Sequence, residues 1–304
     1  VPASQINHAI GWNGENKKML SERFGNVIFK VNSQQSTDNS LCSLNLSKAE
    51  SGTSTNSMSE FNFTITTKDE LSTIIADSRM PEEAKKNLKK LGNVIFINPT
   101  SVSYNSISSH PDIFFFQKDD ALIYAPNAPK RIIKELKKRK IKLIEGKKEV
   151  GKKYPETVPY NAVGIGNLLI HNLKHTDETI LSSYENHINV NQGYTRCNLL
   201  ALNENAFITS DLAISRQLSA VNSQSQSSTV KVLYIDPKQI KLEGQKNGFF
   251  PGCCGVWKNN LIVCGSTKNL KEKAELDKFL KENNFNLIEL YDGDLVDVGS
   301  IFFN

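Results

Sequence analysis

The chain has 304 residues, 37 Lys and Arg against 32 Asp and Glu, a formal net charge of +5 and 38% hydrophobic content, enough to bury a sizeable core in one large or two ordinary domains. No apolar run reaches the roughly 20 residues of a bilayer span, and the opening Val-Pro-Ala-Ser-Gln lacks the charged and apolar regions of a secretory signal. The five cysteines, at 42, 197, 253, 254 and 264, are odd in number and form no C-x-x-C pair. That argues against a disulfide framework or zinc site and for reduced thiols in a cytoplasmic protein.

Residues 32–60 are dominated by Ser, Thr, Asn and Gln and cannot bury enough apolar surface to offset the entropy of ordering. They are expected to form a linker or long loop within an N-terminal extension, 1–69, that precedes a domain over 70–304. The Gly-Asn-Val-Ile-Phe of 25–29 returns at 92–96, which directs attention to repeats.

From about residue 70 one unit recurs: a polar or glycine-containing turn, an apolar strand, a second strand, a helix and a third strand. A strand over 72–76 leads to a helix over 81–91, with Pro81 at its start and Gly92 past its end, and to a strand over 93–98. The next unit opens with strands at 110–116 and 121–124. It continues through Pro-Lys-Arg-Ile-Ile-Lys-Glu-Leu-Lys-Lys-Arg-Lys, where Ile132, Ile133 and Leu136 keep a helical stripe and the cations a solvated face. Strands at 161–165 and 168–171 open a third unit. A fourth covers 193–202, 206–209, a helix at 211–220 and 230–235. A fifth covers 252–257, 261–264, a helix at 269–283 and 286–290. The chain then runs through Asp-Val-Gly-Ser-Ile-Phe-Phe into a lone first strand, which the elements at 72–98 would complete. About five units of roughly 45 residues result, within the range of repeat architectures.

Three stretches carry chemistry. Ser-His-Pro-Asp-Ile-Phe puts His110 and Asp112 at the mouth of an apolar run, on one face if the backbone is extended. Gln-Gly-Tyr-Thr-Arg-Cys leads into Cys197, and Asp-Val-Gly-Ser-Ile begins with Asp297. Elsewhere His171 and His175 read as solvent-facing, Gly164-Ile-Gly166 lacks the third glycine of a phosphate loop, and Asp77-Ser-Arg79 reads as a structural ion pair or cap. Cys253 and Cys254 would point to opposite faces of a strand and are assigned to packing.

The five ββαβ units resemble the pentein fold of the guanidino-group-modifying enzymes: arginine and agmatine deiminases, dimethylarginine hydrolases and amidinotransferases. The resemblance covers about residues 70–304 and is closest to an uncharacterised bacterial family of that fold. The three stretches above are similar to the enzymes' Gly-His-x-Asp motif, the glycine-rich lead into their nucleophilic cysteine, and their Glu-Gly-Gly-Ser-Ile.

The resemblance implies an α/β fold, a five-bladed pseudo-symmetric propeller closed by pairing of the N- and C-terminal parts of the domain. It implies a covalent mechanism in which Cys197 is the nucleophile, its thiolate stabilised by His110. His110 serves as general acid and then base, with Asp112 beside it. Asp297 would grip a small cationic guanidine-like substrate, with Asn161 and Gly193 as further substrate contacts. No cofactor, metal, membrane or nucleic-acid partner is implied. The sequence departs from the enzymes in carrying its histidine first and its carboxylate last, as in a circular permutation, in having Asp297 where they have Glu, and in placing Gly-Cys-Cys-Gly where the deiminases have an arginine-clamping aspartate. A non-catalytic pentein that binds a macromolecule, like a ribosome-assembly translation factor sharing the fold, is the alternative.

Overall fold

The middle strand of each repeat is largely apolar because it is covered on both faces. In the computed structural model, which describes residues 72–221 and 230–304, the strands form five three-stranded sheets. The expected extension 1–69, with its linker at 32–60 and Cys42, lies outside the described residues. The sheets are β15 (Phe302–Phe303), β1 (Thr73–Asp77) and β2 (Asn93–Ile97); β3 (Phe115–Lys118), β4 (Ala121–Tyr124) and β5 (Lys142–Glu145); β6 (Val163–Ile165), β7 (Leu168–His171) and β8 (Asn186–Asn189); β9 (Leu199–Asn203), β10 (Ala206–Thr209) and β11 (Lys231–Tyr234); and β12 (Cys254–Trp257), β13 (Asn260–Val263) and β14 (Asn286–Glu289). In each, the middle strand is antiparallel to the first and parallel to the third.

The parallel step requires a crossover, supplied by helices α1 (Glu82–Leu91), α2 (Lys130–Lys138), α3 (Glu178–Leu181), α4 (Leu212–Val221) and α5 (Lys273–Glu282). Each buries a short stripe: Ala84 and Leu88 in α1, Ile132 and Leu136 in α2, Leu276, Phe279 and Leu280 in α5. After α2 and α5 the chain turns back through Lys140 and Asn284 at φ of 58° and 60°, the left-handed exit common at helix ends. The two-residue hairpins between first and middle strands use positive φ at Asp119, Gly166 and Lys258, which matches the right-handed twist of the flanking strands. Ile74, Ile75, Ile123, Ile208 and Ile262 of the middle strands are fully buried, each worth about 1.5–3 kcal/mol of burial. Truncating one to Ala would cost about 2–5 kcal/mol.

The last strand returns to the first sheet. Ile74 pairs with Phe303 and Ile75 with Phe302, as the lone first strand at the end of the repeats suggests. Each repeat is also bonded to the next. Arg131 of α2 and Arg139, just past its end, donate to the Phe96 and Asn93 carbonyls, Lys147 N to Asp177, Gln217 to the Asn189 carbonyl, and Lys231 pairs with Glu282. Asn87 of α1 donates to the Leu290 carbonyl, linking the last complete repeat to the first sheet.

The expected first strands are shorter than the sequence pattern suggests, and the difference matters at the site. Pro111–Phe114 and Thr195–Asn198 are single helical turns, and Phe250–Cys253 is a 3-10 turn. Pro111 and Pro251 sit in the first positions of their turns, where a missing N–H costs nothing. His110 and Asp112 are therefore brought together by a turn, not by strand alternation.

Candidate active site

The turns before the first strands gather the chemistry. Cys197 ends up beside Asp112: its Sγ donates to Asp112 Oδ2 at 2.9 Å. Ser300 Oγ donates to the same oxygen at 3.1 Å. Asn161 Nδ2 donates to Cys197 Sγ at 3.4 Å and to the Asp112 carbonyl at 3.3 Å. Its Oδ1 accepts the backbone amides of Arg196 at 2.8 Å and Cys197 at 3.3 Å. Asn161 thus fixes the turn that presents the thiol and offers a donor to the sulfur.

His110, Asp112 and Cys197 are all buried, and one side-chain donor atom from each lies within 4.8 Å of the others. They would also suit a thiophilic divalent cation. Both ring nitrogens of His110 and Asp112 Oδ1 are buried and have no hydrogen-bond partner among the described residues, a costly condition that marks functional sites. Gly299, at φ +65°, lies against the imidazole so closely that a Cβ there would stand 2.2 Å from His110 Cβ and Cγ.

Asp297 is buried and accepts the amides of Phe249 and Gly299, each at 3.0 Å. Burial raises its pKa to about 6, helped by Asp112 and opposed by His110 and the two amides. The sulfur is affected the same way. Burial first, then the charges of Asp112 and Asp297, push the Cys197 thiol well above its ordinary value, and the Asn161 bond pulls it part of the way back. The expected thiolate is therefore a neutral thiol at rest, because a buried sulfur flanked by carboxylates is destabilised as an anion. The Gly193 carbonyl accepts from His171 Nε2 at 2.8 Å.

Two residues not assigned to the site from sequence bear on it. Asp77 is buried, and its Oδ2 lies 3.8 Å from His110 Nε2. It is held by Arg79, whose side chain reaches both carboxylate oxygens and whose backbone N–H donates at 2.7 Å, and by Ser109 Oγ at 2.8 Å. The ion pair is real, and it also aims a carboxylate at the histidine. Its partner lies 33 residues away in sequence, beyond local spacing. Arg196 follows the same logic: its guanidinium, above the Phe302 ring, is acted on by Asp112, Cys254, Cys197 and Asp297. Its place beside Cys197 in Thr-Arg-Cys is the only signal the sequence offers.

Other expectations are corrected. His171 is fully buried, since it ends the covered middle strand β7. Burial lowers its pKa to about 4. Cys253 and Cys254 point their thiols at the carbonyls of Phe249 and Phe250, in keeping with packing. Among the described residues the cysteines are free, and no helix is long and apolar enough to cross a membrane.

A domain of five ββαβ repeats with a cysteine, a histidine and carboxylates gathered at the strand starts is the class defined so far. The chain belongs to the family of unknown function DUF6873, whose model matches residues 75–302. No curated protein matches it. Similar solved structures include an agmatine deiminase of C. jejuni with substrate bound, 14% identical, covering 77% of this chain and 93% of that one at a TM-score of 0.45. A DDAH from Pseudomonas aeruginosa complexed with citrulline is 11% identical, covering 72% and 91% at 0.44. An amidinotransferase from Microseira wollei is 14% identical, covering 72% and 88% at 0.43.

Proposed function

We propose that this protein is a thiol-dependent hydrolase or transferase that cleaves a C–N bond in a small guanidino or amidino compound, working within a closed five-bladed α/β-propeller formed by residues 70–304, a cytoplasmic protein with 1–69 as a separate extension. The observation that carries this reading is the thiol–carboxylate bond from Cys197 to Asp112, with the His110 imidazole, which has no hydrogen-bond partner among the described residues, alongside. A planar amidinium needs anions that accept its N–H groups and a sulfur placed on its carbon. Asp112 and Asp297 supply the anions, and Asn161 holds the sulfur in place.

The chemistry follows from the contacts. A cation near Asp112 and Asp297 offsets the charges that oppose the thiolate, and the thiol proton passes to Asp112. The sulfur bonds to the central carbon. The bond to the departing amine then breaks as His110 protonates that nitrogen. His110 next takes a proton from water, or from an acceptor amine, which adds to the same carbon. The C–S bond breaks and the thiol is restored. Asp77, pinned by Arg79, keeps a carboxylate facing the imidazole during both transfers.

Screening amidino and guanidino compounds for amine release tests the reading, with the S-amidino adduct trapped by mass spectrometry. Turnover that survives Cys197→Ser would overturn it. The alternative, a non-catalytic binding module, draws on the complete burial of the cluster and on the Gly-Cys-Cys-Gly turn, which supplies no carboxylate. A Cys197 that no amidine or alkylating reagent modifies in the folded protein would favour it.

A further inference from the structure

The first strands of all five sheets wall a second space. A cavity of about 260 Å³ is lined by Gln117 of β3, Val163, Gly164 and Ile165 of β6, Leu200 and Ala201 of β9, Val256 of β12 and Phe302 of β15. None of His110, Asp112, Cys197 or Asp297 lines it. Arg196 does, and so keeps some accessible surface even though its charge is deeply placed.

That guanidinium is poorly matched by the protein. Its five N–H donors have one side-chain hydrogen bond among the described residues, from Nη1 to the Pro251 carbonyl at a long 3.5 Å. No carboxylate among the described residues lies within ion-pair distance. A buried cation without a paired anion is costly. Burial indeed pulls its pKa down, and the surrounding acids only oppose that from a distance.

The cavity is also shaped around a second donor. The Tyr184 hydroxyl lines it without a hydrogen-bond partner among the described residues, and it lies where a Cβ on Gly164 would stand, 2.0 Å away. Any side chain at 164 would fill that space. Asp119 at the lining is exposed and paired with Lys118 at 3.4 Å, so its charge is partly offset and screened by solvent.

We propose that this cavity is a second ligand site, separate from the Cys197 cluster, which takes a small oxyanion, a carboxylate or inorganic phosphate, on the Arg196 guanidinium with the Tyr184 hydroxyl as a further donor. A guanidinium fork matches the paired oxygens of either anion. Because Arg196 adjoins Cys197 and its charge favours the thiolate, an anion on it also slows alkylation of Cys197. The site does not depend on the reaction proposed above.

Calorimetric titration of the full chain with sodium acetate, and separately with inorganic phosphate, at constant ionic strength tests this without reading thiol chemistry. Saturable one-to-one binding of either is expected, acetate alone marking a carboxylate site and phosphate alone a phosphate site. Arg196→Gln should abolish it, and Tyr184→Phe should weaken it about three- to tenfold. Absence of saturable binding to either anion overturns the proposal, as does binding that Arg196→Gln leaves intact. If Arg196→Gln fails to fold, Arg196→Lys and Tyr184→Phe decide: unchanged affinity in both overturns the site. Loss of activity toward amidines would leave these heats unaltered.

Discussion

Asp112 holds the Cys197 thiol by accepting its proton-bearing bond at 2.9 Å, and the same carboxylate raises the pKa of that thiol through both its charge and this bond. Replacing it by Asn removes both effects. Asp112→Asn should therefore shift the pH midpoint of iodoacetamide alkylation at Cys197 downward, even as it removes the acceptor proposed for turnover. A midpoint that stays or rises would show that Asp112 does not set the thiol's state.

The sequence shows the fold more clearly than the site, for identifiable reasons. Middle strands such as Ala121–Tyr124 and Asn260–Val263 are nearly continuous apolar runs because both faces are covered, so the repeats and the return of the last strand to Ile74 are visible in one dimension. The turns Pro111–Phe114 and Thr195–Asn198 are four residues each, too short for a helical period to register. His110 and Asp112 stand out by their spacing at the mouth of an apolar run, but their grouping with Cys197 is legible only through motif resemblance. Asp77 reads as an ion pair because Arg79 is close in sequence, whereas the histidine it faces is reached only through the fold. His171 looks solvent-facing at a strand end, yet β7 is covered there and the ring is bonded to Thr176 and Gly193.

A cation should activate the thiol that the two carboxylates suppress. 2-Chloroacetamidine, a planar cation, is expected to label Cys197 faster than iodoacetamide does, and faster than it labels Cys253, Cys254 or Cys264. Charge-assisted hydrogen bonds to a carboxylate contribute about 1.5–3 kcal/mol, so Asp297→Asn should cut the cationic preference about tenfold. Peptide mapping after limited labelling gives the answer, and equal labelling by charged and neutral reagents would count against a cationic substrate.

Gly299 is irreplaceable on two grounds. Its φ of +65° disfavours any side chain, and a Cβ would collide with the His110 ring. Gly299→Ala is expected to lower stability by at least about 1–2 kcal/mol and to displace the imidazole. Denaturant unfolding measures the first effect. The second should appear as lost amine release under conditions where the variant remains folded, with Cys197 alkylation by the neutral reagent largely retained.

Two buried groups titrate against each other in the same pH window. Asp297 goes from an ordinary 3.8 to about 6 on folding, so the folded state binds the extra proton. Its favourable contribution is complete below 3.8 and is lost as pH rises through 6. His171 goes from 6.5 to about 4, so the unfolded state binds the extra proton. Its contribution is complete above 6.5 and is lost as pH falls toward 4. Each shift is worth about 3 kcal/mol, and the two nearly cancel. Asp297→Asn should therefore gain stability relative to the parent protein as pH rises from about 4 to 6, and His171→Gln should lose it over about 4 to 6.5. Urea unfolding at half-unit pH steps measures both differences. Parallel profiles for the parent and both variants would mean that neither group titrates inside the fold.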